Sequence, residues 1–166
     1  MTNKVDFTMG TFSKSFGAVG GFIASETDVI DYIKHHTRSF IFTASLPPSV
    51  VASTRAALQI IKEEPERRER LLEIGNYMRT EFKKMGFDTS TSETPIIPIV
   101  IGENLKTFTF WKMLFEAGVY ANAVISPAVP SNSARLRTSY IATHTQDQLD
   151  FVLEKFYKIG KNLSVI

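Results

Sequence analysis

A single lysine lies in a turn of small hydroxyl residues and glycines near the start of the chain, in the segment Gly10-Thr11-Phe12-Ser13-Lys14-Ser15-Phe16-Gly17. When a turn holds a lysine still and partly removes it from water, the lysine pKa falls, because desolvation disfavours the charged ammonium. A neutral lysine amine can attack a carbonyl carbon and form a Schiff base. The hydroxyls of Thr11, Ser13 and Ser15 can donate hydrogen bonds to a phosphate. The segment therefore predicts carbonyl chemistry beside a phosphate group.

Taken alone, the same segment is also compatible with an ordinary surface lysine in a serine-rich turn. It does not match the phosphate loop of nucleotide-binding proteins. That loop places a glycine directly before the lysine and a serine or threonine after it, whereas here Ser13 precedes Lys14.

The composition excludes several other kinds of site. The chain has no cysteine, which excludes disulfides, thiolate metal sites and a cysteine nucleophile, and we expect no metal site. Its formal charge of +2 is too small to indicate nucleic-acid binding. No apolar run approaches the roughly 18 residues that span a bilayer, and the N-terminus lacks a signal-peptide core. We therefore expect a cytoplasmic protein with no membrane span.

Short apolar runs alternate with helical patterns along the chain, which predicts an α/β fold. Strands are expected at residues 5–9, 21–24, 95–101, 119–125 and 135–141, with a further β-rich run at 39–42. Helices are expected to begin with a cap at Thr27, at Pro47-Pro48, after Pro65, near Leu105 and at a capping box formed by Thr145 and Gln148. Gly86 and Gly118 are expected to end two of these helices, and Pro95 and Pro98 indicate an edge strand.

One run of charged residues, 62–70, divides the chain. It is typical of a solvated hinge followed by a helix start, and it predicts a boundary between domains 1–62 and 63–166. The chain reaches the lysine turn after only a few residues, although a sheet strand needs neighbours. We therefore expect the sequence to be the back part of a longer protein.

Three stretches in this order resemble one known family. The first is the lysine turn with Gly20-Gly21 behind it, and the second is Phe-Ile-Phe-Thr-Ala-Ser-Leu-Pro-Pro at 40–48. The third runs from Pro127-Ala128-Val129-Pro130 to Ala134-Arg135-Leu136-Arg137, with Ala142-Thr143-His144-Thr145 just after. Together they resemble the α-oxoamine synthases, which are fold-type-I enzymes that use pyridoxal 5′-phosphate.

The resemblance covers the C-terminal two-fifths or so of such an enzyme. It implies that 1–62 is the end of the large cofactor-binding domain and that 63–166 is a small α+β C-terminal domain. The front part, which holds the residue stacked on the cofactor ring and the acidic partner of the pyridine nitrogen, would be missing. We therefore expect the isolated chain to be incomplete for catalysis.

The resemblance also implies roles for residues near the cofactor. Lys14 would hold pyridoxal phosphate as a Schiff base and then take the α-proton of an amino acid. Thr11, Phe12 and Ser13 would lie against the cofactor or its phosphate. Thr43 and the backbone N–H of Ala44 would contact the phosphate bound by a neighbouring subunit, which implies a homodimer with a shared active site.

Arg137 is the residue that the resemblance assigns to the substrate. A guanidinium meets a carboxylate with two parallel hydrogen bonds, so Arg137 would clamp the carboxylate of a small amino acid, namely glycine, alanine or serine. Arg135 is expected to form a structural ion pair, and His144 is expected to be a loop or cap residue. The implied reaction is a decarboxylative Claisen condensation of the amino acid with an acyl-CoA.

Two other functions stay open. The chain can be a non-catalytic folded fragment or subunit, or it can belong to another fold-type-I enzyme such as an aminotransferase. The lysine turn alone permits an aminotransferase. The segments at 40–48 and 127–130 point instead to the acyltransferases.

Overall fold

A computed structural model describes residues 4–166 of the chain. It divides into two compact units, of which the first ends at Pro65 and the second runs from Glu66 to Ile166. The division lies three residues after the predicted boundary (residue 65 against residue 62). The assignment of the two units to a large and a small domain stays a prediction.

The first unit contains a two-stranded hairpin and three helices. Strands β1 (Thr8–Thr11) and β2 (Gly21–Ala24) pair antiparallel. They are followed by α1 (Thr27–His36), α2 (Arg38–Ile41) and α3 (Pro48–Glu63). Pro48 occupies the first turn of α3, as predicted, where a proline loses no intrahelical hydrogen bond.

Three local predictions for this unit are corrected. The first strand begins at Thr8 rather than at residue 5. The β-rich run 39–42 lies largely in α2, because its N–H groups bond locally, as when Phe40 donates to Thr37 at 3.0 Å. Without a partner strand, such a run satisfies its backbone groups by helical bonds. Thr27 is the first residue of α1 and does not cap it, since Glu26 occupies the N-cap position.

None of the described residues in the first unit, 4–65, is buried. Many of its large apolar side chains are strongly exposed, including Met9, Phe22, Ile23, Phe40, Phe42, Val51 and Leu58. The described residues of the unit therefore leave the apolar faces of the hairpin and helices uncovered.

The second unit packs three helices with an antiparallel sheet. Its elements are α4 (Glu66–Met85), β3 (Ile96–Gly102), α5 (Asn104–Glu116), β4 (Asn122–Val124), β5 (Ala134–Ser139) and α6 (Gln146–Asn162). The strand order is β3-β5-β4, so β3 lies at an edge as its prolines predicted. No helix among residues 4–166 is both long and apolar enough to cross a membrane.

The helix ends of the second unit follow the predicted signals. Gly86 and Gly118 have φ values of 100° and 86° just beyond α4 and α5, a backbone conformation that glycine adopts without a Cβ penalty. Thr145 and Gln148 form the predicted capping box at α6. The strand predicted at 119–125 is limited to Asn122–Val124, because the Val119 N–H closes the end of α5 on the Leu114 carbonyl at 2.8 Å.

Phenylalanine rings form the centre of the second unit's core. Phe82, Phe110 and Phe156 are fully buried. The Phe156 ring lies 5.0 Å from that of Phe82 and 5.5 Å from that of Phe110, measured between centroids. These distances are in the range in which aromatic pairs attract beyond their burial.

We predict that Phe156→Ala lowers the free energy of unfolding by about 3–5 kcal/mol, because a buried ring is replaced by a cavity. Urea denaturation followed by circular dichroism measures the change. Tyr157→Ala, on the exposed side of the same helix, is the matched control and should cost under about 1 kcal/mol. Similar losses for the two variants would contradict this description of the core.

Candidate functional site

The lysine turn is closed by main-chain hydrogen bonds between the ends of the β1–β2 hairpin. Phe12 N–H donates to the Gly20 carbonyl, Ala18 N–H to the Phe12 carbonyl and Gly17 N–H to the Lys14 carbonyl, each at 2.9 Å. Gly17 and Gly20 have φ values of 61° and 100°, which favour glycine. The backbone of Lys14 is thus held at the tip of a defined turn.

Two glycines allow the hairpin strands to pair closely. A Cβ atom at Gly21 would lie 2.4 Å from the Gly10 carbonyl oxygen, and one at Gly10 would lie 2.3 Å from the Phe22 ring. Phe12 packs edge-on against Phe16, with ring centroids 5.3 Å apart. Phe12 is half-buried, so in this chain it supports the turn.

The hydroxyl groups of the turn lie next to one another. Thr11 Oγ1 and Ser13 Oγ are 2.9 Å apart, and the Ser13 backbone N–H donates to Thr11 Oγ1 at 3.2 Å. Both residues are exposed. Hydroxyls donate to phosphate oxygens without adding charge, and a lysine one residue further adds a positive charge and an amine. This donor set fits a phosphorylated aldehyde such as pyridoxal phosphate.

The side chain of Lys14 is exposed within the part of the chain that the structure describes. The sequence led us to expect partial removal of this amine from water. Residues 4–65 do not supply that burial, because none of them is buried. The turn therefore fixes the lysine backbone but leaves its side chain open to solvent.

A cavity of about 540 Å³ lies beside the hairpin. Its walls include Thr11, the glycine backbone of both strands, and the α1 residues Ile30, Ile33 and Lys34. The sequence pattern predicted the apolar face of α1 but not this cavity, nor the presence of Lys34 at its wall. The presence of Lys34 cannot be inferred from the lysine turn, because it comes from α1, 20 residues after Lys14 (34 minus 14).

Thr43 and Ala44 lie between α2 and α3, and both are exposed. The Thr43 hydroxyl donates to the Ser39 carbonyl, one turn earlier. Thr43 would have to release this bond before its hydroxyl proton could serve a phosphate oxygen. Leu46 brings the same segment towards the hairpin, since a Cβ atom at Gly20 would lie 2.9 Å from a Leu46 methyl group.

Arg137 lies on the central strand of the second unit's sheet. Strand β5 alternates as predicted, with Leu136 and Thr138 buried and Arg137 exposed. Arg137 has no ion pair with any residue between 4 and 166. Arg135, for which we expected an ion pair, instead donates through Nε to the Ser133 carbonyl at 2.9 Å. Within residues 4–166 no carboxylate forms the expected ion pair with Arg135.

His144 has the loop role that its position predicted. Its Nδ1 accepts a hydrogen bond from the Ile141 N–H at 3.4 Å, and its ring meets Tyr140 edge-on at 6.2 Å. Tyr140 is buried and donates to Thr138 Oγ1 at 3.1 Å. Burial raises the pKa of the Tyr140 phenol well above its ordinary value of 10.0.

The predicted site residues fall into two groups. Thr11, Phe12, Ser13 and Lys14 lie together in the hairpin turn, and Thr43 and Ala44 lie in the same unit. Arg137 belongs to the second unit. The first group carries an amine and hydroxyl donors, and the second offers a guanidinium that has no ion pair in the described part of the chain.

Sequence comparisons find one matching family model and similar proteins of two kinds. The family model described as aminotransferase class I and II matches residues 1–156. A serine palmitoyltransferase of Sphingobacterium spiritivorum is 48% identical over 165 residues, which are 99% of this chain and 41% of that protein. An 8-amino-7-oxononanoate synthase of Thermoanaerobacter pseudethanolicus is 41% identical over 163 residues, covering 98% of this chain and 41% of that protein.

A solved structure is also similar to the chain. A structure of SPT with a PLP internal aldimine superimposes with a TM-score of 0.91 at 36% identity. The match covers 98% of this chain and 42% of that one. The chain therefore spans about two-fifths of the length of the relatives it matches.

We predict that the stability of the chain falls more steeply above pH 10 than it does in a Tyr140→Phe variant. Folding raises the pKa of the Tyr140 phenol above its ordinary value of 10.0. Above pH 10, therefore, only the unfolded chain releases the phenol proton. The resulting loss is about 1.4 kcal/mol per pH unit. Urea midpoints at pH 9 to 11 measure it. Tyr120→Phe, at an exposed site, should keep the steep dependence, and a parallel response of wild type and Tyr140→Phe would refute the assignment.

Proposed function

Because the chain belongs to the class I and II aminotransferase family, which uses pyridoxal phosphate, we propose that it is the C-terminal part of an α-oxoamine synthase. The proposed activity is the decarboxylative condensation of an acyl-CoA with a small amino acid. The observation that carries the proposal is the hairpin turn, which presents Lys14 beside the adjacent hydroxyls of Thr11 and Ser13. Its curated relatives include serine palmitoyltransferase and 8-amino-7-oxononanoate synthase, so the relatives also support an acyl transfer.

The cofactor site would be built on this turn. When bound, pyridoxal phosphate supplies an electron sink for a carbanion at the α-carbon of the amino acid. Lys14 Nζ would hold the aldehyde carbon covalently and, once released, would take the α-proton as a neutral amine. Thr11 Oγ1 and Ser13 Oγ would donate to phosphate oxygens. The turn's main-chain bonds would keep these donors in place.

The substrate would be held by Arg137. Its guanidinium is exposed and has no internal anion among the described residues, so its donors are available to a carboxylate. A glycine, alanine or serine carboxylate would accept two parallel hydrogen bonds from it. The acyl group would come from an acyl-CoA thioester.

We further propose a homodimer with a shared active site. The segment that carries Thr43 and Ala44 is exposed, as are the neighbouring Phe40 and Phe42, at 63% and 79% of their surface. Exposed aromatic residues of this density mark surfaces that bind another polypeptide. A second subunit would cover them and bring the Thr43 and Ala44 donors to its partner's phosphate.

The exposure of Lys14 limits what the isolated chain can do. Lys14 is exposed and none of residues 4–65 is buried, so the described residues of this unit do not exclude water from the lysine. Neutral amines and electrostatic donors act best in a site from which water is excluded. We therefore propose that the isolated chain attaches the cofactor but does not complete the reaction alone.

We predict that pyridoxal phosphate, fixed by sodium borohydride, labels Lys14 ahead of the other lysines. The nearby hydroxyl donors should attract the phosphate and raise the local concentration of the aldehyde. Peptide mass spectrometry of the purified chain measures the site of labelling. The Lys14→Ala variant should lose the fast-labelled site, whereas Lys34→Ala should keep it. Labelling spread evenly over the lysines, in wild type and variants alike, would refute the cofactor role.

A further inference from the structure

The open face of the second unit's sheet brings a second polar side chain to Arg137. Arg137 pairs with Asn122 of β4 on one side and with Pro98 of β3 on the other. Directly opposed residues on antiparallel strands project from the same face, with Cβ atoms about 4.5–5.5 Å apart. The amide of Asn122 and the guanidinium of Arg137 therefore emerge side by side.

No acidic residue among those the structure describes shares this part of the face. Besides Asn122, the register places on it Ile96, Pro98, Val100, Val124, Arg135 and Ser139. Within residues 4–166, neither the side-chain amide of Asn122 nor the guanidinium of Arg137 has a hydrogen-bond or ion-pair partner. Arg135, two residues earlier on the same strand, is bound to a carbonyl. The two polar groups beside the apolar residues are thus both free to meet a ligand.

The chemistry of the pair matches a carboxylate. An ionised carboxylate has about four lone-pair sites, and a guanidinium fork takes two of them. An amide N–H₂ can donate to a remaining site without adding charge. The Arg137 guanidinium balances one carboxylate, and the other cation that the register places on this face, Arg135, donates to the Ser133 carbonyl. The combination of one cation and one neutral donor therefore favours a monoanion.

We propose that Asn122 is a second binding residue for the substrate carboxylate, with Nδ2 donating to an oxygen that Arg137 holds. The inference rests on the proposed function, which supplies an amino acid as the ligand. Asn122 would thereby fix the rotation of the carboxylate within the guanidinium plane. It acts by direct contact with the substrate and takes no part in proton transfer.

Nitrogen-15 NMR of the 166-residue chain tests the proposal with glycine as the probe. Glycine should shift the Arg137 Nε–H and the Asn122 Nδ2 signals with one common Kd. Ethanolamine, which keeps the amine and lacks the carboxylate, should shift neither. In Asn122→Ala the Kd should rise about three- to tenfold, as loss of one hydrogen bond predicts. Asn122→Asp should abolish binding, because its carboxylate would occupy Arg137.

Two further variants make the result interpretable. Asn162→Ala, at the exposed end of α6, should leave the Kd unchanged. Asn122→Gln keeps the amide on a longer side chain and should bind with intermediate affinity. Unshifted amide signals of Leu136 and Phe156, both in the core, show that each variant is folded.

The outcomes separate this inference from the proposed function. If glycine shifts the Arg137 Nε–H signal but Asn122→Ala keeps the wild-type Kd for glycine, the proposed role of Asn122 is overturned. The proposed role of Arg137 then stands. If glycine shifts neither signal, both carboxylate contacts are overturned. Neither result depends on Lys14, whose borohydride labelling reports on the cofactor role alone.

Discussion

A carbonyl oxygen of Gly10 lies where a side chain at position 21 would stand, 2.4 Å from its Cβ. This close approach lets Thr11 pair with Gly21 and Gly10 with Phe22. This pairing brings Phe12 close to Gly20, and the hydrogen bond from the Phe12 N–H to the Gly20 carbonyl closes the turn. Everything proposed for Lys14 depends on this contact, because the turn has no buried side chain to hold it. Backbone hydrogen bonds and glycine geometry, rather than a hydrophobic core, fix the backbone that carries the Lys14 side chain.

The two units obtain their stability differently. The second has a continuous core centred on Phe82, Phe110 and Phe156. The burial of these apolar side chains stabilises the unit. Among residues 4–65, the first has uncovered apolar faces and no buried residue. The Thr11 and Ser13 hydroxyls that we propose as cofactor donors are nevertheless arranged by local bonds. The chain thus holds the lysine turn in a defined backbone conformation, while the dry surroundings that would tune the amine are not provided by its own described residues.

Much of the fold is predictable from local signals. Proline and glycine marked the start of α3 and the ends of α4 and α5, and the capping box marked α6. The proline starts a helix where no intrahelical hydrogen bond is lost, the capping box satisfies free N–H groups, and the glycines adopt the positive φ that ends a helix. The β-rich run 39–42 misled because its aromatic and branched residues favour strands only where a partner strand exists. Nothing within so short a window reveals that the partner is missing.

The candidate site was predictable only in part. The types and spacing of residues 10–17 indicated the lysine turn, and the period of β5 indicated which arginine faces solvent. The carbonyl partner of Arg135 was not evident, because it is set by the loop before β5. Asn122 was also missed, since it lies 15 positions before Arg137 and the two meet only through the sheet register (137 minus 122). Contacts of this kind need the structure.

Hydrogen exchange at the Phe12 and Ala18 amides tests most directly whether the hairpin fixes the lysine turn. Both N–H groups close the turn on main-chain carbonyls, so they should exchange much more slowly than in an unfolded peptide of the same sequence. Gly21→Val, which forces a side chain against the Gly10 carbonyl, should remove that protection and leave the core amides of the second unit unchanged. Exchange of Phe12 and Ala18 at unfolded-peptide rates in the wild-type chain would contradict the account.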